Sequence, residues 1–249
     1  MPSTPNDYPQ FPTEAELFYL CTTSSTSEDD LELHHTSPSK SSLKVGVLIL
    51  GHDQHQLLDL AAIDLLTMVS RNCISKMSAS TSVLEASVDE MDIRYISESG
   101  EGSFSVTSGA RMPVTNSFED APPLDILLIP GTLSAAELPL SAAMFIRGRI
   151  LSNNTIAVFS IASGILPLIQ SGVLHGKKAT GPSFLLPALQ RRFPETTWQE
   201  TQWARHENIW TSSSPLAAID MLATWIRQYF WDRREAVECA LRAAGVSSS

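Results

Sequence analysis

The small residues Ala162-Ser163-Gly164 interrupt an otherwise apolar stretch of the chain. The preceding run TIAVFSI has the composition of a buried strand, and the following ILPLIQ has the spacing of a helix. A nucleophile elbow needs small residues at such a junction because the two backbones nearly touch there, and it presents one side chain to a cleft. Its backbone amides can hold an oxyanion. Alanine supplies no nucleophile, and ordinary packing between a strand and a helix explains the same pattern.

Ser163 is the alternative nucleophile in this turn. Its side chain lies one position further along and points in a different direction, and a serine needs a base within about 2.6 to 3.2 Å. His52 and His55, both in the first predicted loop, are candidates for that base. His175 lies in a loop at a helix end, where we expect it to be solvated.

Four short runs rich in valine and isoleucine predict strands that are buried on both faces of a parallel sheet. They are KVGVLIL (44–50), MDIRYIS (91–97), LDILLIP (124–130) and TIAVFSI (155–161). The segments with helical spacing are LLDLAAIDLLTMVS (57–70), AAMFIRGRILS (142–152), ILPLIQSGVL (165–174), FLLPALQRRF (184–193) and PLAAIDMLATWIRQYFWDRR (215–234). Gly172 and Gly176 mark one helix end. The alternation predicts an α/β sandwich with a mostly parallel sheet, whose ligands bind beyond the carboxyl ends of the strands.

Three further segments carry local signals. SFSVTSGARMPVTNSF (103–118) predicts a hairpin, and WARHENIWTSS (203–213) predicts a late strand pair that turns at residues 206–208. Residues 75–90 have the composition of a surface loop with a short helical turn.

Length and composition favour one large domain. The chain has 249 residues and is 43% hydrophobic, which supports a sizeable core. Residues 1–42 are rich in serine, threonine and acidic residues, too poor in apolar groups to offset their ordering entropy, and are predicted to be a disordered extension. We place the folded domain at 43–234, and a helix end and tail at 235–249.

The charge balance favours a small-molecule or protein partner. The 27 acidic and 17 basic residues give a net charge of −10, which argues against a nucleic-acid surface. Three cysteines, Cys21, Cys73 and Cys239, indicate neither a disulfide framework nor a zinc site, because they are far apart and outside any CxxC spacing. No segment approaches the roughly 20 apolar residues of a membrane span. We therefore expect a cytoplasmic protein without a metal or another cofactor.

Four segments in this order resemble the DJ-1/PfpI superfamily, over about residues 43–232, and within it the isonitrile hydratase-like branch. They are LLDLAAIDLL, LDILLIPG, VFSIASGILPLIQSGVLHGKKATGP and NIWTSSSPLAAIDM. The branch carries an elbow similar to Val-Cys-Thr-Gly, and the tail GVLHGKKATGP fixes the register. The resemblance places Ala162 at the family's cysteine, Ser163 at its threonine and Gly164 at its glycine. HQLLDL is similar to the branch's first loop and places Asp59 at the catalytic aspartate.

The resemblance implies a three-layer, flavodoxin-like fold and a concrete reaction. A thiolate adds to the isonitrile carbon, and water then releases the thioimidate as an N-substituted formamide. Asp59 would handle the proton or position water, and the hydroxyl of Ser163 and the elbow amides would orient the adduct. Gly131 and Gly164 would lie at the substrate. Related proteins are usually dimers, so the resemblance also implies a homodimer.

Two functions of different classes follow, and position 162 divides them. One is an isonitrile hydratase-like enzyme, acting on an isonitrile secondary metabolite through Asp59 and Ser163. The other is a non-catalytic relative that binds a small molecule or a protein. A third interpretation is that the alanine was introduced into an enzyme that carries cysteine there. Glyoxalase-type chemistry, also found in the superfamily, is less favoured because the first loop offers Gln56 where an acid is usual.

Two departures from the branch, and two further acids, bear on the pocket. Thr132 follows Pro130-Gly131 where the branch often has a second glycine, and SSSPLAAID replaces a glycine-rich segment, so we expect a narrower or reshaped pocket. Asp64 is predicted to face the surface of its helix. Asp220 is interpreted either as a solvated or capping carboxylate or as a pocket residue.

Overall fold

The structure, a computed structural model, describes residues 38–50, 55–132, 137–152 and 154–246. The part from Ser39 onward forms one compact unit. Most of the predicted extension over residues 1–42 lies outside the described residues, as does the candidate base His52.

The described residues form eleven strands and eight α-helices. The strands are β1 (Ser42–Leu48), β2 (Glu90–Ser97), β3 (Ser103–Ser105), β4 (Arg111–Pro113), β5 (Asn116–Ser117), β6 (Ile126–Ile129), β7 (Ala157–Ser160), β8 (Lys178–Ala179), β9 (Thr197–Trp198), β10 (Trp203–His206) and β11 (Ile209–Ser212). The helices are α1 (Leu57–Met68), α2 (Arg71–Ile74), α3 (Thr81–Glu85), α4 (Leu140–Ile150), α5 (Ile165–Gln170), α6 (Leu186–Arg192), α7 (Pro215–Tyr229) and α8 (Arg234–Ala243).

Seven strands form the central sheet, in the order β10-β11-β7-β6-β1-β2-β5. Every neighbouring pair is parallel except β10 with β11. The four predicted apolar runs supply β1, β2, β6 and β7, which are consecutive in the sheet. Their carboxyl ends therefore meet at one edge, where the loops that follow them can form a site. The prediction of a mostly parallel α/β sheet is confirmed.

Helices cover both faces of the sheet. Successive residues of a strand point to opposite faces, and in β6 Ile126 and Leu128 join the apolar cluster that contains α1, α7 and α8, whereas Leu127 and Ile129 join the cluster that contains α4, α5 and α6. All four side chains are fully buried. Burial on both faces explains why this strand is apolar without alternation.

Local signals fix the ends of several elements. Helix α7 begins at Pro215 because the side chain of Ser214 accepts a hydrogen bond from the backbone N–H of Ala217 and proline suits the first helical position. Helix α5 ends before Gly172, whose φ of +78° favours glycine, as the sequence predicts.

The predicted hairpin is present as the antiparallel pair β3 and β4, and its last residues join the main sheet as β5. The predicted late strand pair is β10 and β11. Residues 75–90 contain the short helix α3 and a 3-10 turn at Ser75–Met77. None of the helices in the described part of the chain has both the length and the apolar character needed to cross a membrane.

Candidate functional site

The turn after β7 has the geometry of a nucleophile elbow. Ala162 lies at the carboxyl end of this central strand with a φ of +49°, in the left-handed region that residues with a Cβ rarely adopt. A 3-10 turn over Ala162–Gly164 then leads into α5. The strand, the strained residue and the helix follow each other as an elbow requires. Because its side chain is a methyl group, the residue at the tip supplies no acid, base or nucleophile.

Gly164 lets the elbow approach the end of β6. A Cβ at this position would lie 2.2 Å from the carbonyl oxygen of Ile129, a contact that real structures do not tolerate. The backbone N–H of Ile161 donates to the same carbonyl over 2.9 Å, which holds the two strand ends together. The close approach in the structure is therefore between the elbow and the neighbouring strand β6, and the approach of strand and helix at the turn stays a prediction. A role for Gly164 in binding substrate stays a prediction.

The hydroxyl of Ser163 is engaged with the loop that follows β6. It donates to the carbonyl oxygen of Thr132 over 2.8 Å and accepts from the backbone N–H of Thr132 over 3.0 Å. His55 is fully buried, and its Nδ1 pairs with the carbonyl oxygen of Gly131 at 2.9 Å. The structure thus uses both residues to fix residues 131 and 132, and it does not show the hypothetical pair in which His55 activates Ser163.

Asp59 reaches the same point from α1. A Cβ added to Gly131 would lie 2.8 Å from Oδ2 of Asp59 and 2.8 Å from Oγ of Ser163, so these two oxygens are at most twice that distance apart. Any side chain at position 131 would meet both of them. The structure brings Asp59, Gly131 and Ser163 together beside the elbow, although they are 72 and 32 positions apart along the chain.

Burial controls the protonation of Asp59. The residue is only 3% exposed, and its Oδ1 is buried with no hydrogen-bond partner in the described part of the protein. Desolvation raises the pKa of Asp59 from 3.8 to about 6, and the backbone amide of Gln56 works in the opposite direction. A carboxyl group in this position exchanges its proton near neutral pH, as a general acid and base must.

The family model of the DJ-1/PfpI family matches residues 68–228, which is more than half of the chain. The chain belongs to the DJ-1/PfpI family. The matched segment includes Gly131 and the elbow at 162–164 but begins after Asp59. A comparison with curated proteins finds no match.

Solved structures share the fold of this DJ-1/PfpI protein. It is similar to a ThiJ/PfpI family protein from Pseudomonas syringae, with 18% identity, a TM-score of 0.63, and coverage of 92% of this chain and 85% of the other. DJ-1beta from Drosophila melanogaster shows 15% identity and a TM-score of 0.62, over 83% and 100% of the two chains. An AraC family transcriptional regulator from Pseudomonas putida shows 17% identity and a TM-score of 0.58, over 79% and 97%. At these identities the likeness establishes the fold and leaves the activity open.

The two other acids singled out in this DJ-1/PfpI protein are both at the surface. Asp64 is exposed on α1, as its spacing predicts. Asp220 is also exposed, and it accepts a hydrogen bond from the indole N–H of Trp203 over 2.8 Å, which ties α7 to β10. The cap of α7 is Ser214 instead. Where the chain is described, no three His, Cys, Asp or Glu side chains are grouped as a metal site requires.

Sequence reasoning missed two features of the site. The backbone of Thr132, which holds the Ser163 hydroxyl, carries no side-chain signal. Ser212, at the end of β11, is fully buried, and its hydroxyl accepts from the elbow amide of Ala162 over 3.4 Å. The serine-rich segment after the late strand was the available signal, because the hydroxyl of Ser212 in this segment contacts the elbow.

Proposed function

We propose that the protein is an isonitrile hydratase-like enzyme that converts an isonitrile to an N-substituted formamide without a covalent intermediate. The observation that carries the proposal is the buried carboxyl group of Asp59, with its pKa raised to about 6 and an unpartnered oxygen beside the elbow. A group that is part protonated near neutral pH can supply the proton that isonitrile hydration consumes.

The reaction balances with Asp59 and water alone. The protonated carboxyl donates its proton to the terminal isonitrile carbon, and a C–H bond forms. Water adds its oxygen to the same carbon and returns a proton to the carboxylate, so that Asp59 ends in its starting state. The resulting imidic acid then moves its O–H proton to nitrogen and becomes the formamide. The net change is the addition of one water molecule, with no oxidation or reduction.

The elbow has a positioning role in this mechanism. Ser163 is held by Thr132, so its hydroxyl fixes the loop that carries Gly131 and does not act as the nucleophile. Asp59 and Ser163 pack closely against Gly131, so a side chain at position 131 would displace both of them. Ala162 has a methyl group where the resembling branch has the thiol of a cysteine. Without a covalent intermediate to divide the reaction into easier steps, we expect slow turnover.

A second candidate is a non-catalytic protein that binds a small molecule or a protein. The observation that favours it is Ala162, since the strained position of the elbow holds no reactive group. The similar fold of an AraC family transcriptional regulator agrees with a use of this architecture outside catalysis. In this case Asp59 would hydrogen-bond the ligand instead of transferring a proton.

The test is formamide production from a simple aryl isonitrile, followed chromatographically. The chain itself is compared with Asp59→Asn, with Ala162→Cys, and with Asp64→Asn, a control for loss of one carboxylate from the exposed side of the same helix. Slow turnover that Asp59→Asn abolishes and Asp64→Asn retains supports the hydratase. Turnover by Ala162→Cys alone favours the non-catalytic protein with an intact pocket, and no turnover by any variant contradicts isonitrile hydration.

We also propose that the protein acts as a homodimer in the cytoplasm on an isonitrile secondary metabolite. The support is the resemblance to the hydratase-like branch, together with the acidic charge balance that disfavours a nucleic-acid partner. Light scattering after size-exclusion chromatography measures the assembly, and a mass of one chain at working concentration would contradict the dimer.

A further inference from the structure

A cavity lies at the carboxyl edge of the sheet, on the side of β1 and β2. Its volume is about 730 Å³, within the range of small-molecule sites. Ile49 directly follows β1, Ser97 ends β2, and the β3–β4 hairpin supplies Phe104 on the other side. Neither Asp59 nor a residue of the elbow (162–164) is among its described lining residues. The edge at which it opens is where α/β sheets bind ligands.

The apolar part of this cavity is fixed by packing. Ile49 and Phe104 are 2% and 6% exposed, so they form a rigid floor. The ring of Phe104 packs edge-on against His55 at 5.5 Å and lies 5.8 Å from Tyr95, measured between ring centroids. A ligand that places an apolar group on this floor is received by a preformed surface.

The basic side chain of Arg111 lines the cavity and has N–H donors that are not used in its hydrogen bonds to Ser103. The guanidinium of Arg111 donates from Nε to Oγ of Ser103 over 2.9 Å and from a terminal nitrogen to the carbonyl oxygen of Ser103 over 3.2 Å. Within the described residues it forms no ion pair. Arginine has five N–H donors in a planar fork that matches a carboxylate. The hydrogen bonds to Ser103 orient this fork and leave the other donors for a ligand.

Acidic side chains also line the cavity. Glu98 and Glu101 lie in the loop that connects β2 with β3. The hydroxyl of Ser141 on α4 donates to Glu98 over 2.6 Å, which positions the carboxylate and leaves its second oxygen available. An ammonium group placed here would donate a charge-assisted hydrogen bond to that oxygen.

We propose that this cavity binds a zwitterionic small molecule of the size of an amino acid. Its carboxylate would be held by Arg111, its ammonium group by Glu98 and Glu101, and its apolar side chain by Ile49 and Phe104. The proposal does not depend on isonitrile chemistry, because it uses none of the residues assigned to that reaction.

Isothermal titration of the full chain tests the proposal with three probes. L-phenylalanine carries both charges, phenethylamine lacks the carboxylate, and 3-phenylpropionate lacks the ammonium group. We expect phenylalanine to bind at millimolar concentration and each analogue to bind about two- to fivefold more weakly, as the loss of one exposed ion pair implies. Absence of phenylalanine binding at that concentration, or equal binding of all three probes, overturns the proposal.

Two variants assign the charges. Arg111→Gln is expected to weaken phenylalanine binding about two- to fivefold and to leave phenethylamine binding unchanged. Glu98→Gln is expected to weaken phenylalanine binding by the same factor and to leave 3-phenylpropionate binding unchanged. Arg191→Gln, at an exposed arginine of α6 outside the cavity, is the matched control. Thermal unfolding shows whether each variant is folded. Equal effects of Arg111→Gln and Arg191→Gln on phenylalanine would mean that only net charge matters, and would overturn the assigned site.

Discussion

Replacing Gly164 by alanine is expected to destabilise the protein strongly, because the elbow touches the end of β6. The new Cβ would lie 2.2 Å from the carbonyl oxygen of Ile129 and 3.1 Å from that of Pro130. Relief requires the two backbones to separate by about 1 Å, and backbone in a close-packed core does not yield as a side-chain tip does. The separation would also stretch the hydrogen bond from Ile161 to Ile129. We expect Gly164→Ala to lower the free energy of unfolding by about 3 kcal/mol, at the upper end for overpacking.

Urea denaturation followed by circular dichroism measures this loss, and Gly148→Ala is the matched control. Gly148 lies within α4, and a Cβ there would meet nothing within 4 Å. Alanine is the better helix former, so this variant is expected to gain about 0.5 to 1 kcal/mol. In a thermal scan the loss at position 164 corresponds to a fall in Tm of roughly 6 to 12 °C. If Gly164→Ala unfolds within about 0.5 kcal/mol of the unaltered chain, the close approach of elbow and strand is wrong.

Three further predictions concern the site. Because burial raises the folded pKa of Asp59 from 3.8 to about 6, its neutral form stabilises the fold below pH 3.8, and this contribution is lost as the pH rises through 6. Asp59→Asn is therefore expected to be about 3 kcal/mol more stable than the unaltered chain at pH 7.5 and equal to it near pH 3.5, and urea titrations at both pH values check this. Ser163→Ala removes two hydrogen bonds to Thr132 and is expected to lower the free energy of unfolding by about 1 to 2 kcal/mol in the same urea titrations. An unchanged urea midpoint would contradict the role of Ser163 in linking the elbow to Thr132. In Gly131→Ala the added Cβ would meet the side-chain ends of Asp59 and Ser163, so we expect about 1 kcal/mol of destabilisation together with loss of formamide production. Retained turnover would contradict the placement of Asp59.

The central sheet could be predicted from the sequence because burial on both faces leaves a continuous apolar run. The run LDILLIP, predicted as a strand over 124–130, contains β6 at Ile126–Ile129, and KVGVLIL (44–50) is displaced by only two residues from β1 at Ser42–Leu48. Strand ends are set by backbone pairing with neighbours, which composition does not report. The two-residue strand β5 is too short for any period, and it exists because Asn116 and Ser117 pair with the end of β2.

The elbow could be predicted in part. Small residues between a strand and a helix indicated the turn, and Gly164 was identified by the need for a close approach. The sequence did not indicate the hydrogen-bond partners of the polar side chains near the elbow. Ser163 bonds backbone atoms of Thr132, and His55 bonds the carbonyl oxygen of Gly131, so their partners are set by how three loops meet in space.

The backbone conformation of the elbow does not depend on which side chain residue 162 carries. A left-handed φ costs a residue with a Cβ about 1 kcal/mol or more relative to glycine, and alanine gains nothing there that offsets this cost. Neighbours therefore impose the conformation: Ile161 is bonded to Ile129, and Gly164 lies against the same carbonyl. Since these contacts involve backbone atoms on both sides, Ala162→Cys should enter the turn without rearranging it. For this reason the formamide assay on that variant separates a missing nucleophile from a missing pocket.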